Sequence, residues 1–550
     1  MRINRLTQAL LFGLLAAGNA AAATSSQPNI LLILADDLGY SDLGAFGGEI
    51  NTPQLDTLAK ANLQLTSMYA APTCSPTRSM LMSGTDHHLA GLGTMAEALM
   101  PFQKGHPGYE GYLNQQVYSM PQLLQNGGYD TMMVGKWHLG LAPEQGPVAR
   151  GFQQSFSMLE GGASHFKPRA DEPSKIEQVH YVENGKAVEV PDDFYSTDFY
   201  TDKLISYMKN TRKDGKPFFA YAAYTAPHWP LQAPDAYLDK YKGRYDKGYD
   251  SVRTARIEQM KKLGLLPADF AAARPIPANP HLPGWEQLTP EQQQAEARKM
   301  EIYAAMVDNL DHNIGRLLDY LRESGQYDNT LIVFMSDNGA AGENHSQWYP
   351  NGKHTDNSLA NLGRINSEVD YGVRWAEVSA APFHLFKGST AEGGISVPAI
   401  VKMPKAMARQ GRLSEVARVD DLLPTFLAVA GLPLPADDAD KHAITGKSML
   451  AMLSGKQEQA QQPVLAGELF GNAYYREGNM KLLGMRPQVG FGEAPKPPKW
   501  TLYDLSKDRG ETNDLAGAQP EQVKRMQQAW GAYTQQVGVV RPPVAQAKAD

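Results

Sequence analysis

The chain has 550 residues, 42% hydrophobic and 20% charged, an ordinary balance for a soluble globular protein. Its length allows one large domain with appendages or two to three average ones. The formal net charge of -7 argues against a nucleic-acid binder, whose surface is usually basic, and leaves any anionic substrate to be attracted by local groups.

The first residues read as a secretory leader spanning 1–23. Arg2 and Arg5 supply a positive start, residues 10–17 a short apolar stretch, and residues 20–23 small side chains for cleavage. That order disfavours a core helix, and the stretch is too short to cross a bilayer. No later run is long and apolar enough to do so. The chain is therefore expected to be exported, to the periplasm or beyond, with no membrane insertion once the leader is removed.

Residues 29–35 (NILLILA) form a continuous apolar run followed by Asp36 and Asp37. Residues 53–61 predict a short helix after Thr52. Residues 131–134 are a second apolar run, ahead of Gly135, Lys136, Trp137 and His138. Residues 218–224 are a third, ahead of Pro227 and His228. Residues 233–290, rich in proline, tyrosine and charge, read as an insertion. Residues 291–323 predict a long helix whose stripe of Ile302, Met306, Leu310, Ile314, Leu317 and Leu321 belongs to the core. Residues 331–335 are the last clear run, with Asp337 and Asn338 behind it.

Continuous apolar runs suit strands covered on both faces. The expected fold is α/β: a large, mostly parallel sheet sandwiched by helices, over residues 24–432. Ligands bind beyond the carboxyl ends of such strands. Four segments thus deliver Asp, Asn, Lys or His to one edge. After residue 432, Pro433, Pro435, Asp437, Asp438 and Asp440 read as a linker. Strands at 474–483 and 500–505 and a helix at 522–537 then predict a smaller C-terminal α+β unit, residues 433–550. No internal repeat is visible.

Cys74 is the only cysteine. It cannot form an internal disulfide, so it is either an inert core residue or a functional one. Position alone favours the inert reading. The local sequence, Cys74-Ser75-Pro76-Thr77-Arg78, reverses it. Pro76 suits the first turn of a helix, placing Cys74 at or just before its start, where backbone N–H groups favour negative charge. Arg78 follows one turn later. Alone, this could be a helix with an incidental arginine.

Asp36, Asp37, Asp337 and Asn338 are hard oxygen donors that suit calcium or magnesium better than zinc. Each pair alone reads equally as a helix cap or turn. Residues 337–342 do not make an EF-hand loop, because Gly339 and Ala341 stand where oxygen side chains are needed. Lys136, His138, His228 and Lys387, the last in Phe386-Lys387-Gly388-Ser389-Thr390, read in isolation as surface or structural residues. His87 and His88 read as packing around the helix start. Gly91, Gly93 and Ala96 spell a dinucleotide pattern but lack its preceding strand.

Taken in order, these motifs resemble the type I, formylglycine-dependent sulfatases of the alkaline phosphatase superfamily, and among them the bacterial arylsulfatases. The likeness rests on Cys-x-Pro-x-Arg running into Ser83-Gly84-Thr85, on Thr85-Asp86-His87-His88, on Gly135-Lys136-Trp137-His138, on the Asp36-Asp37 and Asp337-Asn338 pairs, and on Leu502-Tyr503-Asp504-Leu505. It covers nearly the whole mature chain. It implies that a transient partner, a formylglycine-generating maturation enzyme, oxidises Cys74 to formylglycine (3-oxoalanine). It implies one calcium per chain on Asp36, Asp37, Asp337 and Asn338, completed by the modified Cys74 and a substrate oxygen. Lys136, His138, His228 and Lys387 are implied in sulfate binding and proton transfer, with Arg78 and calcium favouring ionisation of the nucleophile.

The expected reaction is hydrolysis of small-molecule sulfate esters, aryl esters first. The alternative is a phosphonate monoester or phosphodiester hydrolase with the same site. A non-catalytic exported binding protein is a third reading, disfavoured by the full set of ionisable residues. Trp229, Trp348 and Tyr349 are candidates to line the leaving-group pocket, or to be core.

Overall fold

The computed structural model describes residues 27–167, 178–211, 215–344, 352–456, 464–486 and 498–541. The leader expected at 1–23, and Trp348 and Tyr349, lie outside the described residues.

Among the described residues, eleven strands form one mixed sheet. In chain order they are β1 (Asn29–Ala35), β2 (Leu63–Tyr69), β3 (Asp130–Lys136), β4 (Gln154–Met158), β5 (Tyr181–Glu183), β6 (Lys186–Ala187), β7 (Phe218–Ala223), β8 (Thr330–Ser336), β9 (Ser396–Lys402), β10 (Gly411–Leu413) and β11 (Ala417–Arg418). Across the sheet the order is β10-β2-β9-β8-β1-β7-β3-β4-β5-β6, with β11 also on β2. The neighbours β8, β1, β7, β3 and β4 all run parallel, whereas β9 is antiparallel to both β8 and β2.

Every residue of β1 is buried, because the two faces of the strand feed two separate cores. Leu31, Ile33 and Ala35 pack with Leu204 of the helix Ser196–Thr211 and Leu310 of the helix Pro290–Glu323. Ile30, Leu32 and Leu34 pack with Leu81, Leu124 and Phe426 from the helices Cys74–Ser83, Met120–Asn126 and Leu422–Val429. A strand apolar at every position is stable only when helices cover both faces, each buried aliphatic side chain contributing about 1.5–3 kcal/mol.

The long helix starts where its sequence dictates. Thr289 Oγ1 accepts from the Gln292 amide N–H, the Gln292 side chain accepts from the Thr289 N–H, and Pro290 takes the first helical position. Its predicted stripe, Ile302 to Leu321, is buried throughout. Within 233–290, the helix Gly248–Lys262 ties back to the sheet region through buried Arg256, which bonds Glu49 at 2.7 and 2.8 Å and also Asp42.

A separate antiparallel sheet follows: β12 (Val464–Leu469), β13 (Asn472–Glu477), β14 (Met480–Met485) and β15 (Lys499–Asp504). The single strand expected at 474–483 is instead a hairpin of β13 and β14, turned at Gly478 with φ 59°. One face holds the helix Pro520–Val537 through Met526 against Leu482 and Leu502. The other packs Leu465, Tyr474 and Leu483 against Tyr69 of β2 and Ile395. Among the described residues, no helix is long and apolar enough to cross a membrane.

Candidate active site

The strand order explains how residues 300 positions apart meet. β8, β1, β7 and β3 are consecutive neighbours, and their carboxyl ends lead into Asp337-Asn338, Asp36-Asp37, His228 and Lys136-Trp137-His138 respectively. Cys74 is the first residue of the helix Cys74–Ser83, and Lys387 arrives on the loop before the turn Glu392–Ile395. Asp36, Asp37, Cys74, Arg78, Lys136, His138, His228, Asp337, Asn338 and Lys387 are all buried. Two of them hold the left-handed backbone conformation that non-glycine residues avoid, Asp37 at φ 65° and His138 at φ 56°. Such strain, of order 1–3 kcal/mol each, persists where surrounding structure fixes the residue. Gly135 precedes Lys136 because a Cβ there would sit 1.9 Å from the Ala223 carbonyl oxygen of β7.

Cys74 Sγ lies 3.5 Å from Asp36 Oδ1 and 3.7 Å from Asp37 Oδ1. The Arg78 guanidinium grips Asp337 Oδ2 at 3.0 Å through Nε and 2.8 Å through Nη2, and donates through Nη1 to the Lys136 carbonyl at 2.9 Å. Lys136 Nζ bonds both oxygens of Asp36, at 3.0 and 2.7 Å. Lys387 Nζ reaches Asp37 Oδ2 at 3.0 Å, and His228 Nε2 lies 3.5 Å from the same oxygen. Asn338 Nδ2 donates to Asp37 Oδ1 at 2.6 Å. The residues expected to carry catalysis and metal binding are thus in one connected group except His138, which lines the same cleft.

The group fits a hard cation. Asp36, Asp37, Asp337 and Cys74 offer ligand atoms all within 4.8 Å of one another. Asn338 Oδ1 is buried with no donor facing it among the described residues, an acceptor that costs free energy unless something positive occupies its lone pairs. Burial pushes the Asp36 carboxyl up to about 8, with Asp337 and Asp37 adding to the rise and Lys136 opposing it. Burial is the main cause of that rise, and a cation at the site would oppose it. Burial also acts on Asp37, but Lys387, His228 and Lys136 outweigh it and hold its carboxyl well below the usual range. Three carboxylates face three cations, Arg78, Lys136 and Lys387. A divalent ion would leave the site net positive and ready for an anion. The oxygen donors of Asp36, Asp37, Asp337 and Asn338 match calcium or magnesium. The Cys74 thiol, pushed up by burial, is not poised as a thiolate.

Above Cys74 opens a cleft of about 450 Å³, lined by Met95, Glu97, His138, Leu141, Glu160, Val179, Trp229, Glu343 and Lys387 among others. His228 shares its Nδ1 proton with the Trp229 carbonyl oxygen, and burial pulls its pKa well down. Glu343 takes a bond from Trp229 Nε1 at 2.9 Å and stands 3.2 Å from Lys387 Nζ. Glu97 stands 3.2 Å from His138 Nε2. Sequence reading missed Glu97 and Glu343. Glu343 had one available signal, since it lies on the same strand-end loop as Asp337-Asn338.

His87 and His88 do not pack around the helix start. They follow its carboxyl end, because the helix stops at Ser83 with Gly84 at φ 69°. His88 Nδ1 pairs with Asp86 at 2.9 Å, and its Nε2 lies 3.3 Å from Glu468 of β12. Burial opposes its charge, but these two carboxylates prevail and lift His88 to about 9, so it ties the segment after the helix Cys74–Ser83 to β12.

Comparison with known proteins agrees with this geometry. A family model described as Sulfatase matches residues 28–432. A sulfatase of Schizosaccharomyces pombe, itself uncharacterized, is 43% identical over 547 residues, covering 95% of this chain and 96% of that one. An arylsulfatase of Klebsiella aerogenes is 40% identical over 437 residues, 78% of this chain and 92% of its own. Among solved structures, Ps i-CgsB in complex with k-i-k-neocarrahexaose matches with a TM-score of 0.65 and 25% identity over 94% of each chain. A family match across the whole large sheet, over strand ends that gather carboxylates, lysines and a lone cysteine, establishes that the chain belongs to the sulfatase family of sulfuric ester hydrolases.

Proposed function

We propose that the protein hydrolyses aryl sulfate esters to a phenol and inorganic sulfate, with a formylglycine made from Cys74 as nucleophile and one calcium ion. The observation that carries this reading is the convergence of Asp36, Asp37, Asp337, Asn338 and Arg78 on Cys74 beneath an open cleft. The reading includes export through the leader at 1–23, and modification of Cys74 by a maturation enzyme beforehand. A short linear motif is reachable only before it is buried in a fold.

Asp36, Asp37, Asp337 and Asn338 are the residues to hold calcium, whose charge favours ionisation of a nucleophile and draws electron density from sulfuryl oxygens. A formylglycine hydrate offers two hydroxyls on one carbon, one to attack sulfur and one to be deprotonated as the aldehyde reforms and sulfate leaves. The chain's own residues do the rest. Arg78, fixed by Asp337 and the Lys136 carbonyl, keeps positive charge one helical turn from position 74. Lys136 and Lys387 bind the sulfuryl oxygens, and being buried they act without the screening of bulk water. His228 donates its Nδ1–H to the Trp229 carbonyl, so it acts as an acid only in its doubly protonated form, which Asp37 at 3.5 Å favours, and the Nε2 proton is then the one passed to the departing oxygen. His138 takes the proton that frees sulfate. Met95, Leu141, Val179 and Trp229 give the cleft an apolar wall suited to an aromatic leaving group.

A panel of matched esters tests this. Sulfate esters are expected to give a higher kcat/KM than the corresponding phosphodiesters and phosphonates, and the reverse order would favour the phosphonate or phosphodiester reading. Within the panel, His228→Ala is expected to lose about 10²-fold more activity on unactivated phenyl or alkyl sulfates than on 4-nitrophenyl sulfate, because a poor leaving group needs the acid most. Equal losses across leaving groups would remove His228 from that role.

A further inference from the structure

The His138 ring is held from three sides. Its nitrogen Nε2 lies 3.2 and 3.4 Å from the two oxygens of Glu97, on the single 3-10 turn Ala96–Ala98. Its backbone N–H donates to the Leu159 carbonyl at 3.1 Å, and its φ of 56° fixes an uncommon direction for the side chain. The third side is Gly161. A Cβ there would stand 2.6 Å from the ring's Cε1 and 2.7 Å from Nε2, so only glycine leaves room for this ring. The remaining nitrogen, Nδ1, is buried and has no hydrogen-bond partner among the described residues.

A carboxylate can only accept. Facing Glu97, Nε2 must therefore carry the hydrogen, and in the neutral ring the lone pair then falls on Nδ1. Desolvation alone would raise the Glu97 carboxyl, but His138 draws it down to about 2, which favours the anion near neutral pH. Turning the ring over would place Cε1 against the carboxylate and lose the bond. This is the logic by which a carboxylate selects the tautomer of a catalytic imidazole; here the carboxylate is Glu97, at the mouth of the cleft with its side chain 38% exposed.

We propose that Glu97 is the positioning residue of His138: it locks the Nε2–H tautomer and so presents Nδ1 as the atom that accepts the proton when sulfate is released. This rests on the reading of His138 given above. The proton passes to Nδ1, the ring becomes a cation paired with Glu97, and Glu97 itself stays ionised. The proton then returns to water, so the residue pair ends as it began.

The role has a kinetic signature distinct from damage to the fold. His138 is assigned to the second half-reaction, after the sulfate ester has been cleaved. Slowing only that half lowers kcat and KM together and leaves kcat/KM nearly unchanged. In the full-length matured protein, Glu97→Ala and Glu97→Gln are expected to lower kcat on 4-nitrophenyl sulfate by about 10–100-fold, with kcat/KM within a few-fold of the parent. In a double-mutant cycle, Glu97→Ala added to His138→Ala is expected to cost nothing further, because its only target is gone. Thermal unfolding checks each variant; should Glu97→Ala fail to fold, the isosteric Glu97→Gln carries the kinetic test, alone and combined with His138→Ala.

The proposal is overturned if Glu97 variants keep the parental kcat, if the loss falls on kcat/KM, or if the loss is as large without His138 as with it. A parent protein inactive on every sulfate ester would instead sink the underlying reading of the site. An active parent with indifferent Glu97 variants would sink this inference alone.

Discussion

Replacing Cys74 by alanine is expected to lower kcat/KM on 4-nitrophenyl sulfate by roughly 10⁴–10⁶-fold, the scale on which removal of a nucleophile acts. The side chain is buried and small, so the fold should survive, and circular dichroism and thermal unfolding should match the parent. Cys74→Ser sharpens the test. A serine hydroxyl keeps one oxygen for attack on sulfur but has no second hydroxyl from which the carbonyl can reform. It is expected to release at most one phenol per chain and then stop. Steady turnover by the serine variant would mean that the second hydroxyl is not needed.

Asp337→Ala is expected to have the next largest effect, because one carboxylate serves two partners. Its Oδ2 holds Arg78 at 2.8 and 3.0 Å, and Oδ1 accepts from the Asp37 N–H at 3.2 Å. Arg78 is fully buried, and removing its hydrogen-bonded partner leaves it only the more distant Asp36 at 3.8 Å, costing up to about 3–5 kcal/mol of stability. The same change removes one of three carboxylates from the cation site. Elemental analysis of the parent is expected to find about one calcium per chain, and the variant is expected to lose calcium and activity together. Zinc as the only bound metal in the parent would contradict the oxygen-donor reading. Asp337→Asn, which keeps the shape and an acceptor for Arg78, is expected to recover part of the stability but not the metal.

The middle of the central sheet was legible because β1, β7 and β8 carry long apolar runs that lead into polar residues. Residues 29–35 illustrate this, since the run and the strand Asn29–Ala35 coincide. That contrast also pointed to the site, as both signals come from strand ends in a parallel sheet. β2 was not legible. Its residues, Leu-Gln-Leu-Thr-Ser-Met-Tyr, are all buried, yet the polar ones are accommodated by pairing that a composition count does not see: Thr66 Oγ1 donates to the Leu413 carbonyl at 3.2 Å. The β13–β14 hairpin was read as one strand because Tyr474 to Leu483 is rich in strand formers, and the turn rests on Gly478 and Asn479 alone. Glu97 was invisible for a different reason. It sits on an irregular segment, and its partner lies 41 residues away, so no periodicity links them. The reversal of His87 and His88 from helix start to helix end follows from the same limit. Pro76 marked where the helix begins, but only Gly84 marked where it stops.

The measurement that tests the account most directly uses the fact that Cys74 is the only thiol in the chain. Oxidation of its side chain to an aldehyde leaves a protein with no thiol at all. Active protein recovered from the periplasm, then denatured, is predicted to be inert to a thiol reagent and to react with a hydrazide. Protein made without the maturation enzyme is predicted to show the reverse and to be nearly inactive. A fully active preparation in which every chain still titrates one thiol would contradict the account.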